Sequence, residues 1–235
     1  MTSRIFQHNA YQRECDAMIV AAGPDGLVLD RTVFYPSGGG QPGDIGVLEW
    51  GDGQRLSVLD TRKGEADQIV HVVAAGQRPP PPGTSVRAVI DWPRRHRHMR
   101  MHTCLHLLCA LVEAPVTGGN LGADKGRLDF DLPDAALDKA ELTEALNALI
   151  DRDIETAVEW ISEAELDEMP ELVRTLSVAP PRGSGRVRLL SIPGIDLQPC
   201  GGTHVARTGE IGRVRVSKIE KKSRLNRRIA VVFDE

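Results

Sequence analysis

Long apolar runs are missing from this sequence. No segment approaches the roughly 18 or more consecutive apolar residues that a membrane-spanning helix requires. The opening stretch MTSRIFQHNAYQRE contains neither the basic segment nor the apolar segment of a secretory signal peptide. We therefore expect a cytoplasmic protein with no membrane partner.

Cysteine and aromatic residues are also scarce. The four cysteines among 235 residues have no regular spacing, and a chain of this length does not need disulfides to be stable. Free thiols or a metal ligand are the expected roles. Aromatic side chains make up only 4% of the residues, but hydrophobic residues make up 41%, which suffices for one large core or two modest ones. Two domains are the preferred prediction.

Charge is unevenly distributed along the chain, although the formal net charge is only −4. Residues 134–171 carry 13 acidic and 2 basic side chains, whereas residues 205–228 carry 9 basic and 2 acidic ones. A basic strip of this kind, ending in KIEKKSRLNRR, suits a phosphate backbone. Such runs are more often a solvated surface, so the pattern alone leaves both interpretations open.

The first part of the chain reads as a series of short strands. Between residues 13 and 90, apolar runs are separated by turn signals such as GPDG, PSGGGQPGD and GDGQ. Short strands at this spacing predict a small β-barrel. The segment GQRPPPPGTS has the composition of a boundary loop, but the strand-like SVRAVID after it is placed in the barrel. We therefore assign residues 1–90 to a β-barrel domain with a Gly-rich loop. The predicted strands are DAMIVAA, GLVLDRTVFYP, GVLEW, RLSVLD, QIVHVVA and SVRAVID.

The remainder, residues 91–235, has an α+β pattern. Apolar residues at helical spacing indicate a helix that begins near Arg94 and is ended by Pro115 and the TGGN after it. Two further helices are predicted to start near Asp138 and Ser162, because a glutamate follows each of these caps three positions later. The predicted fold class is therefore α+β, an N-terminal barrel followed by an antiparallel sheet packed on helices. The strands of this sheet are predicted at GRLDFDL, ETAVEWI, GRVRLLSI, EIGRVRVSKI and RRIAVVF.

The motif CGGTH at residues 200–204 places a thiol and an imidazole four positions apart. A divalent metal such as zinc usually takes four nitrogen or sulfur ligands, so Cys200 and His204 require a second pair. His102 and His106 supply it, since residues four apart lie on one helix face, about 6 Å apart along the axis. An HxxxH pair arises readily by chance, but two such pairs in one chain favour a metal site.

Other side chains compete for a place in this site. His98 forms a second HxxxH with His102, yet His98 and His106 are about 12 Å apart along the helix and cannot share one ion. We expect His98 to be exposed or to face a phosphate. Cys104 and Cys15 are predicted to be core residues, and Cys109 is a weaker candidate ligand.

Three motifs together resemble a known family. HTCLHLL at 102–108, CGGTHVARTGEIGRVRV at 200–216 and TVFYPSGGGQPGDIG at 32–46 are similar to motifs of the editing domain of alanyl-tRNA synthetase and of its stand-alone relatives, the AlaX alanyl-tRNA editing proteins. GRLDFDL and NRRIAVVF fit the same pattern in the same order, so the likeness spans nearly the whole chain. No room remains for a synthetase core. The resemblance therefore implies a stand-alone protein of medium length, with a domain like the second additional domain of threonyl- and alanyl-tRNA synthetases.

The resemblance also implies an activity, a zinc-dependent hydrolysis that removes wrong amino acids, chiefly serine and often glycine, from tRNA(Ala). The family usually has a small residue pair where this chain has Cys104 and Leu105, so a second thiol lies near the motif. No catalytic residue is predicted beyond the metal site. The resemblance assigns one Zn²⁺ per chain to His102, His106, Cys200 and His204.

Substrate and tRNA contacts are assigned in the same way. The tripeptide GGQ also marks release factors, but here it follows FYP and precedes PGD in a hairpin-like turn, as in the editing family. The oligomeric state is left open, with a monomer favoured. The predicted substrate residues are Thr32, whose hydroxyl is available to a serine side chain, and Gly39, Gly40 and Gln41. The predicted tRNA-binding residues are Lys218, Lys221, Lys222, Arg224, Arg227 and Arg228.

Two other functions remain open at this point. One is a zinc-stabilised RNA-binding module without catalysis, and the other is a metal hydrolase of small esters. The role of zinc is open as well, since it can activate water, polarise the ester carbonyl or position the substrate amino group. The preference between serine and glycine is not decided by the sequence.

Overall fold

The computed structural model describes residues 1–132, 137–175 and 185–235. Asp134, the first acidic residue of the 134–171 stretch, lies outside the described residues. The chain divides into two compact units, Met1–His96 and Arg97–Glu235. Among the described residues, no helix is both long and apolar enough to cross a membrane.

The first unit is built around a closed β-barrel. Its strands are β1 (Ser3–Arg4), β2 (Glu14–Gly23), β3 (Gly26–Leu29), β4 (Arg31–Thr32), β5 (Gly46–Trp50), β6 (Gln54–Lys63), β7 (Ile69–Val73) and β8 (Ser85–Ile90). Six of them close the barrel in the order β2-β3-β7-β6-β5-β8, and neighbouring strands are antiparallel. The short strands β1 and β4 pair in parallel beside it. The predicted barrel is confirmed.

Apolar side chains at every second position of the strands fill the interior of the barrel. In β6, Leu56 and Val58 point inward while their neighbours are exposed, and in β8 Val86, Ala88 and Ile90 are buried while the residues between them are exposed or only partly buried. Each large apolar side chain buried in this way contributes about 1.5–3 kcal/mol relative to exposure. The period of two residues therefore both identifies the strands and selects the face that forms the core.

A buried ion pair fixes the segment that contains the Gly-rich turn. The carboxylate of Asp44 accepts a hydrogen bond from the Tyr35 N–H at 2.6 Å and pairs with the guanidinium of Arg95. Arg95 also donates to the carbonyl of Val33 at 2.7 Å. Both charged side chains are almost completely buried, so removing either one would leave a costly unpaired charge.

The predicted strand GLVLDRTVFYP is shorter in the structure. β3 ends at Leu29, because the next side chain, Asp30, turns back onto the backbone and accepts hydrogen bonds from the N–H groups of Met18 and Arg31. Arg31 and Thr32 then pair with β1 instead of extending the barrel strand. Local side-chain bonding therefore overrides the continuous apolar pattern.

The second unit contains the sheets and helices of an α+β fold. The helices are α1 (Trp92–Leu111), which begins in the first unit, α2 (Lys139–Asp151) and α3 (Glu163–Glu168). Strands β9, β10, β14 and β15 form an antiparallel sheet in the order β14-β15-β10-β9, and β11, β12 and β13 form another in that order. The predicted α+β class is confirmed. The strand bounds are β9 (Val116–Leu121), β10 (Lys125–Asp131), β11 (Ala157–Ser162), β12 (Arg186–Ile192), β13 (Asp196–Pro199), β14 (Val214–Lys221) and β15 (Asn226–Phe233).

The helix predicted to begin near Arg94 is confirmed as α1. Residues 101–109 are buried on all sides rather than along one apolar stripe. Gly126 of β10 allows this close packing, because a Cβ at that position would lie only 2.7 Å from the sulfur of Met101. The part of α1 that carries the two histidines of HTCLH is therefore held inside the second unit.

Both later helix starts are confirmed as well. Asp138 caps α2 by accepting hydrogen bonds from the N–H groups of Ala140 and Glu141. Ser162 and Glu165 form a complete capping box at the start of α3.

Three details of the second unit differ from the prediction. The TGGN segment, which the sequence placed only at the end of α1, belongs to β9, and Gly119 leaves room there for the side chain of Leu128 on β10. The strand predicted from Glu210 begins only at Val214, because a 3-10 turn (Thr208–Ile211) precedes it. Strand β13 (Asp196–Pro199) was not predicted; it forms an antiparallel hairpin with β12, which ends at Ile192.

Candidate metal centre

Four of the side chains predicted from the two motifs meet in the second unit. One ligand atom from each of His102, His106, Cys200 and His204 lies within 4.8 Å of the others. The sulfur of Cys200 is 3.1 Å from Nε2 of His204 and 3.7 Å from Nε2 of His102. In the part of the chain that the structure describes, no other group of three or more potential ligands is brought together in this way.

The cluster is assembled from two short segments. His102 and His106 are one turn apart on α1, as the spacing predicts, and their ring centroids are 5.4 Å apart. Cys200 directly follows β13, and His204 lies four residues further along the same loop. The three imidazoles are buried, with exposures of 5 to 8%, and the thiol is partly buried.

Arg188 of β12 holds the Cys200 loop in place. Its Nη1 donates to the carbonyl of Cys200 at 2.7 Å and to the carbonyl of Gly202 at 3.0 Å. Its own backbone carbonyl accepts the N–H of Cys200 at 3.0 Å. A buried guanidinium thus satisfies two carbonyls that have no strand partner, so the loop keeps one conformation. Arg188 was not predicted from the sequence.

Asp196 lies behind one of the imidazoles. Its Oδ2 is 2.8 Å from Nδ1 of His106, and its Oδ1 accepts a hydrogen bond from Gln198 at 2.7 Å. A carboxylate in this position keeps the proton on Nδ1 and leaves Nε2 to face an ion. Asp196 was not predicted from the sequence, although two polar residues at alternate positions in the otherwise apolar segment IPGIDLQP were a usable signal.

Thr103, also missed, contacts a second imidazole. Its hydroxyl is 3.3 Å from Nδ1 of His204, donates to the carbonyl of Met99 at 3.0 Å and accepts the N–H of Val205 at 3.2 Å. Each of these two imidazoles therefore has a polar partner at Nδ1, on the side away from the Cys200 sulfur.

Burial and the charges within the cluster shift its pKa values. Burial raises the pKa of the Cys200 thiol, but the three nearby imidazoles lower it, with the net result well below 9.0. Burial lowers the pKa of His106, but the Cys200 charge and the Asp196 hydrogen bond raise it to about 10. Burial lowers the pKa of His204 to about 3. The cluster therefore favours the thiolate form of Cys200 more than an isolated cysteine would, and the thiolate is the form that binds metals.

The donor set suits a zinc ion. Three imidazole nitrogens and one thiolate form a normal tetrahedral zinc site, with Zn–N distances of about 2.0–2.1 Å and a Zn–S distance of about 2.3 Å. Those bond lengths correspond to N···S separations of about 3.6 Å in a tetrahedron, and the observed separations are 3.1 and 3.7 Å. The four donors are thus close enough for one ion to bind them all.

The competing side chains lie outside the cluster. His98 is 1% exposed, so the expectation that it would be exposed or face a phosphate is wrong. The basic composition around it does not indicate exposure, because most of α1 is buried from this turn onward. Cys104 is fully buried, as predicted, and burial raises its pKa to about 12. Cys109 is buried outside the cluster, and Cys15 is only partly buried rather than in the core.

Comparison with known proteins groups the chain with tRNA-editing proteins. Residues 187–230 match the family model described as the threonyl and alanyl tRNA synthetase second additional domain, and residues 2–94 match the model of class II (A) tRNA synthetases. The chain is 37% identical to the alanyl-tRNA editing protein AlaX-M of Methanosarcina acetivorans, over 97% of this chain and 98% of that protein. The chain belongs to the AlaX family of alanyl-tRNA editing proteins.

Other AlaX relatives agree with this assignment. The AlaX-M protein of Saccharolobus solfataricus is 33% identical over 97% of this chain and 98% of its own length. The AlaX-L protein of Pyrococcus horikoshii is 34% identical over 95% of this chain but only 56% of its own length. The resemblance is confirmed, and the length of the chain matches the AlaX-M type.

In this AlaX chain the Gly-rich loop lies in the barrel unit and forms a tight turn. Gly38 and Gln41 exchange two backbone hydrogen bonds of 3.0 Å, with Gly39 and Gly40 between them. Gly39 and Gly40 have φ values of 56° and 81°, which glycine adopts without the strain that a side chain would cause. The predicted hairpin-like turn is therefore present, and Gln41 at its end is buried.

Thr32 of the AlaX chain is fully buried in the same unit. Its hydroxyl is 2.8 Å from Nε2 of His71 and accepts the N–H of Phe34 at 3.0 Å. His71 places its Nδ1 3.2 Å from the carbonyl of Leu27, and burial lowers its pKa to about 4. His71 is thus a neutral imidazole that holds Thr32, and it was not predicted from the sequence.

The basic strip of the AlaX chain forms the β14–β15 hairpin. Lys221, Lys222 and Arg224 are exposed at its tip, next to Leu225, whose surface is 52% exposed. These cations are close together in space because the loop between the strands is short.

The other basic residues of the hairpin have partners. Arg228 makes two hydrogen bonds of 2.7 Å to Asp129 on β10, and Lys218 pairs with Glu220 at 2.7 Å. Arg227 donates to the carbonyl of Ser223 at 3.3 Å. The six predicted tRNA-binding residues therefore fall into an exposed tip and a set that is already hydrogen-bonded within the unit.

Proposed function

We propose that this chain is a zinc-dependent editing hydrolase that removes serine, and also glycine, from mischarged tRNA(Ala). The reaction adds water across the ester between the amino acid and the terminal ribose, and it releases the free amino acid and the tRNA. The observation that carries the proposal is the cluster of His102, His106, Cys200 and His204 in a chain that an AlaX-M protein matches over almost its full length.

A separate hydrolase of this kind has a physical reason. A pocket built for alanine cannot strongly reject an analogue that adds one hydroxyl, since the discrimination is typically about 10²-fold. Glycine is smaller than alanine and enters the same pocket. Errors of this size require a second site that hydrolyses the wrong product.

The residues of the cluster have distinct tasks in this proposal. His102, His106, Cys200 and His204 would hold one Zn²⁺, which when bound supplies Lewis-acid chemistry to an ester carbonyl, a water or an amino group. Asp196 accepts the Nδ1 proton of His106 and directs Nε2 into the site. Arg188 fixes the loop that carries Cys200. Burial of the imidazoles keeps bulk water from competing with the substrate for these groups.

Recognition of the amino acid is assigned to Thr32 and to the turn residues Gly39, Gly40 and Gln41. Because the Leu27 carbonyl accepts from Nδ1 of His71, the Nε2 of His71 accepts the hydroxyl proton of Thr32. Phe34 donates to the same oxygen, which leaves it one acceptor position for a serine hydroxyl. The glycines of the turn carry no side chain that would obstruct a ligand.

The tRNA contact is assigned to the β14–β15 hairpin. Its predicted residues are Lys218, Lys221, Lys222, Arg224, Arg227 and Arg228. In this proposal the tip cations bind phosphates directly, because the structure shows them exposed, whereas Arg228 and Lys218 would have to share their charge with Asp129 and Glu220.

Deacylation of Ser-, Gly- and Ala-tRNA(Ala), with and without a zinc chelator, tests the proposal. We expect loss of serine and glycine but not of alanine, and no loss once the chelator has removed the metal. His102→Ala should abolish metal binding and activity together. His98→Ala is the matched control, since it removes a buried histidine one turn earlier on α1 but outside the cluster.

Three results would contradict the proposal. Full activity of metal-free protein would exclude the zinc-dependent mechanism. Stoichiometric zinc without deacylation would indicate a non-catalytic RNA-binding module. Cleavage of small aminoacyl esters at the same rate as of aminoacyl-tRNA would indicate a general metal hydrolase.

A further inference from the structure

Thr103 occupies an unusual position between the two ligands on α1. Its side chain is completely buried, and its hydroxyl reaches the loop segment that carries His204. Three polar atoms surround the hydroxyl oxygen: the Met99 carbonyl oxygen at 3.0 Å, the Val205 nitrogen at 3.2 Å and Nδ1 of His204 at 3.3 Å. Thr103 is thus a direct side-chain link between the two segments that build the cluster.

The single proton of the Thr103 hydroxyl determines the direction of each of its hydrogen bonds. A threonine hydroxyl has one proton to donate and two lone pairs to accept with. The Met99 carbonyl can only accept, so it takes that proton, and the Val205 N–H can only donate, so it uses one lone pair. The remaining lone pair faces His204, whose Nδ1 must therefore carry a proton.

The protonated Nδ1 determines what His204 offers on its other side. In a neutral imidazole one nitrogen is the donor and the other has the free lone pair. With the proton on Nδ1, the lone pair is on Nε2, which lies 3.1 Å from the Cys200 sulfur. Asp196 does the same for His106, whose Nδ1 is 2.8 Å from the carboxylate.

We infer that Thr103 is a positioning residue of the metal site, which selects the Nδ1–H tautomer of His204 and ties its loop to α1. The inference rests on the proposed metal site and adds to it a residue that does not contact the ion. The carboxylate of Asp196 orients the imidazole of His106, whereas the neutral hydroxyl of Thr103 orients the imidazole of His204.

Thr143 of α2 provides an internal control for Thr103. That hydroxyl donates to the carbonyl of Lys139, four residues earlier, at 2.7 Å and accepts the N–H of Val216 at 3.0 Å. These are the same two backbone bonds that Thr103 makes. The described contacts of Thr143 include no imidazole. Replacing Thr143 therefore removes two backbone hydrogen bonds of the same kind but no contact that selects a histidine tautomer.

Three variants separate orientation from folding: Thr103→Val, Thr103→Ser and the matched control Thr143→Val. Zinc affinity is measured by competition with a chromophoric chelator. We expect Thr103→Val to bind zinc about 10- to 100-fold more weakly, as removal of an outer partner of a ligand typically does. Thr103→Ser keeps the hydroxyl and should restore affinity to within a few-fold of the wild type. Thr143→Val should bind zinc as the wild type does.

The tautomer is read directly from long-range ¹H–¹⁵N spectra of histidine-labelled protein. The His204 ring should show a proton on Nδ1 in the wild type, with and without zinc. In Thr103→Val the metal-free protein should show a mixture of tautomers, because no acceptor remains at Nδ1.

Three outcomes would overturn the inference: wild-type zinc affinity in Thr103→Val, an equal loss in Thr143→Val, or a proton on Nε2 of His204 in the wild type. A wild-type chain that takes up no zinc would instead contradict the proposed function. The tautomer in metal-free protein would still decide the role of Thr103.

Discussion

The Nδ1 atom of His106 lies 2.8 Å from a carboxylate oxygen of Asp196, and both side chains are buried. The second carboxylate oxygen is held by Gln198 at 2.7 Å, so the acid cannot rotate away from the imidazole without losing a bond. An acid in this position raises the basicity of the ligand and fixes its ring plane. Asp196 should therefore control metal affinity without touching the metal.

Replacing Asp196 with Ala should weaken zinc binding by about 10- to 100-fold, because the outer partner of His106 is lost. Chelator competition measures the change. Asp129→Asn is the control, since it removes a largely buried, ion-paired carboxylate that belongs to β10 and not to the cluster. An Asp196→Ala protein with unchanged affinity would show that the 2.8 Å contact does not support the site.

The thiol of Cys200 should be the reactive cysteine of the metal-free chain. Its pKa lies well below 9.0, because the imidazoles around it outweigh the effect of burial. Its alkylation by iodoacetamide should therefore fall less between pH 9 and pH 7 than that of an ordinary thiol, whose reactive thiolate fraction drops steeply over this range. Zinc should suppress the reaction. Mass spectrometry of each cysteine peptide measures both effects.

Two other thiols serve as internal references in that experiment. Burial raises the pKa of Cys15 and raises that of Cys104 to about 12, so neither should react appreciably at pH 7. Alkylation of Cys200 that falls in step with pH, or that zinc does not slow, would contradict a thiolate ligand at this position.

The buried imidazole of His71 should make the protein less stable in acid. Burial lowers its pKa from 6.5 to about 4, so the unfolded chain takes up a proton over a range where the folded chain does not. The stability is fully present above pH 6.5 and is lost as the pH falls towards 4. Between pH 7 and pH 5 the loss should be about 2 kcal/mol, measured by urea unfolding.

His71→Gln tests this effect, because an amide keeps one donor and one acceptor but does not titrate. The difference between pH 7 and pH 5 should shrink by the amount assigned to His71. His8→Gln, which removes an exposed histidine of the same unit, should keep the wild-type difference. A variant at position 71 with an unchanged pH dependence would exclude His71 as its source.

Neutralising the hairpin tip should weaken tRNA binding in a salt-dependent way. The slope of the logarithm of the binding constant against the logarithm of the salt concentration decreases in magnitude by roughly 0.7–0.9 for each phosphate contact removed. The triple variant of Lys221, Lys222 and Arg224 to Gln should therefore reduce the slope by about 2 to 3. Binding is measured by filter retention over a range of salt concentrations.

Arg213, just before β14, and Arg215 on β14 provide the control. Both are exposed, but they pair with Asp151 and Asp234 within the same unit. Changing them to Gln removes two charges from the base of the hairpin, away from its tip, and should leave the slope within error. Equal slopes for the triple variant and the wild type would exclude the tip from the RNA interface.

The ligands themselves could be predicted because each pair is local. An i, i+4 spacing on α1 brings His102 and His106 to one face, and CGGTH carries its own thiol and imidazole. The barrel could be predicted for a similar reason, since the two-residue alternation of β6 and β8 is visible in the sequence.

The contacts of the supporting residues could not be predicted, because their partners are far away in the chain. Thr103 contacts a residue 101 positions later, and Asp196 contacts one 90 positions earlier. Short-range patterns carry no information about such pairs. The wrong expectation for His98 has a related cause, because burial of α1 on all sides depends on β10 and its Gly126 rather than on the composition of the helix.

The link made by the Thr103 hydroxyl is uncharged and shielded from solvent, so dissolved ions have nothing there to screen. The lysines and the arginine at the hairpin tip are charged and exposed to solvent, so dissolved ions do screen them. A wash with concentrated potassium chloride should therefore release co-purifying nucleic acid but leave a bound metal ion in its site. The metal content of the washed protein can then be measured without RNA present.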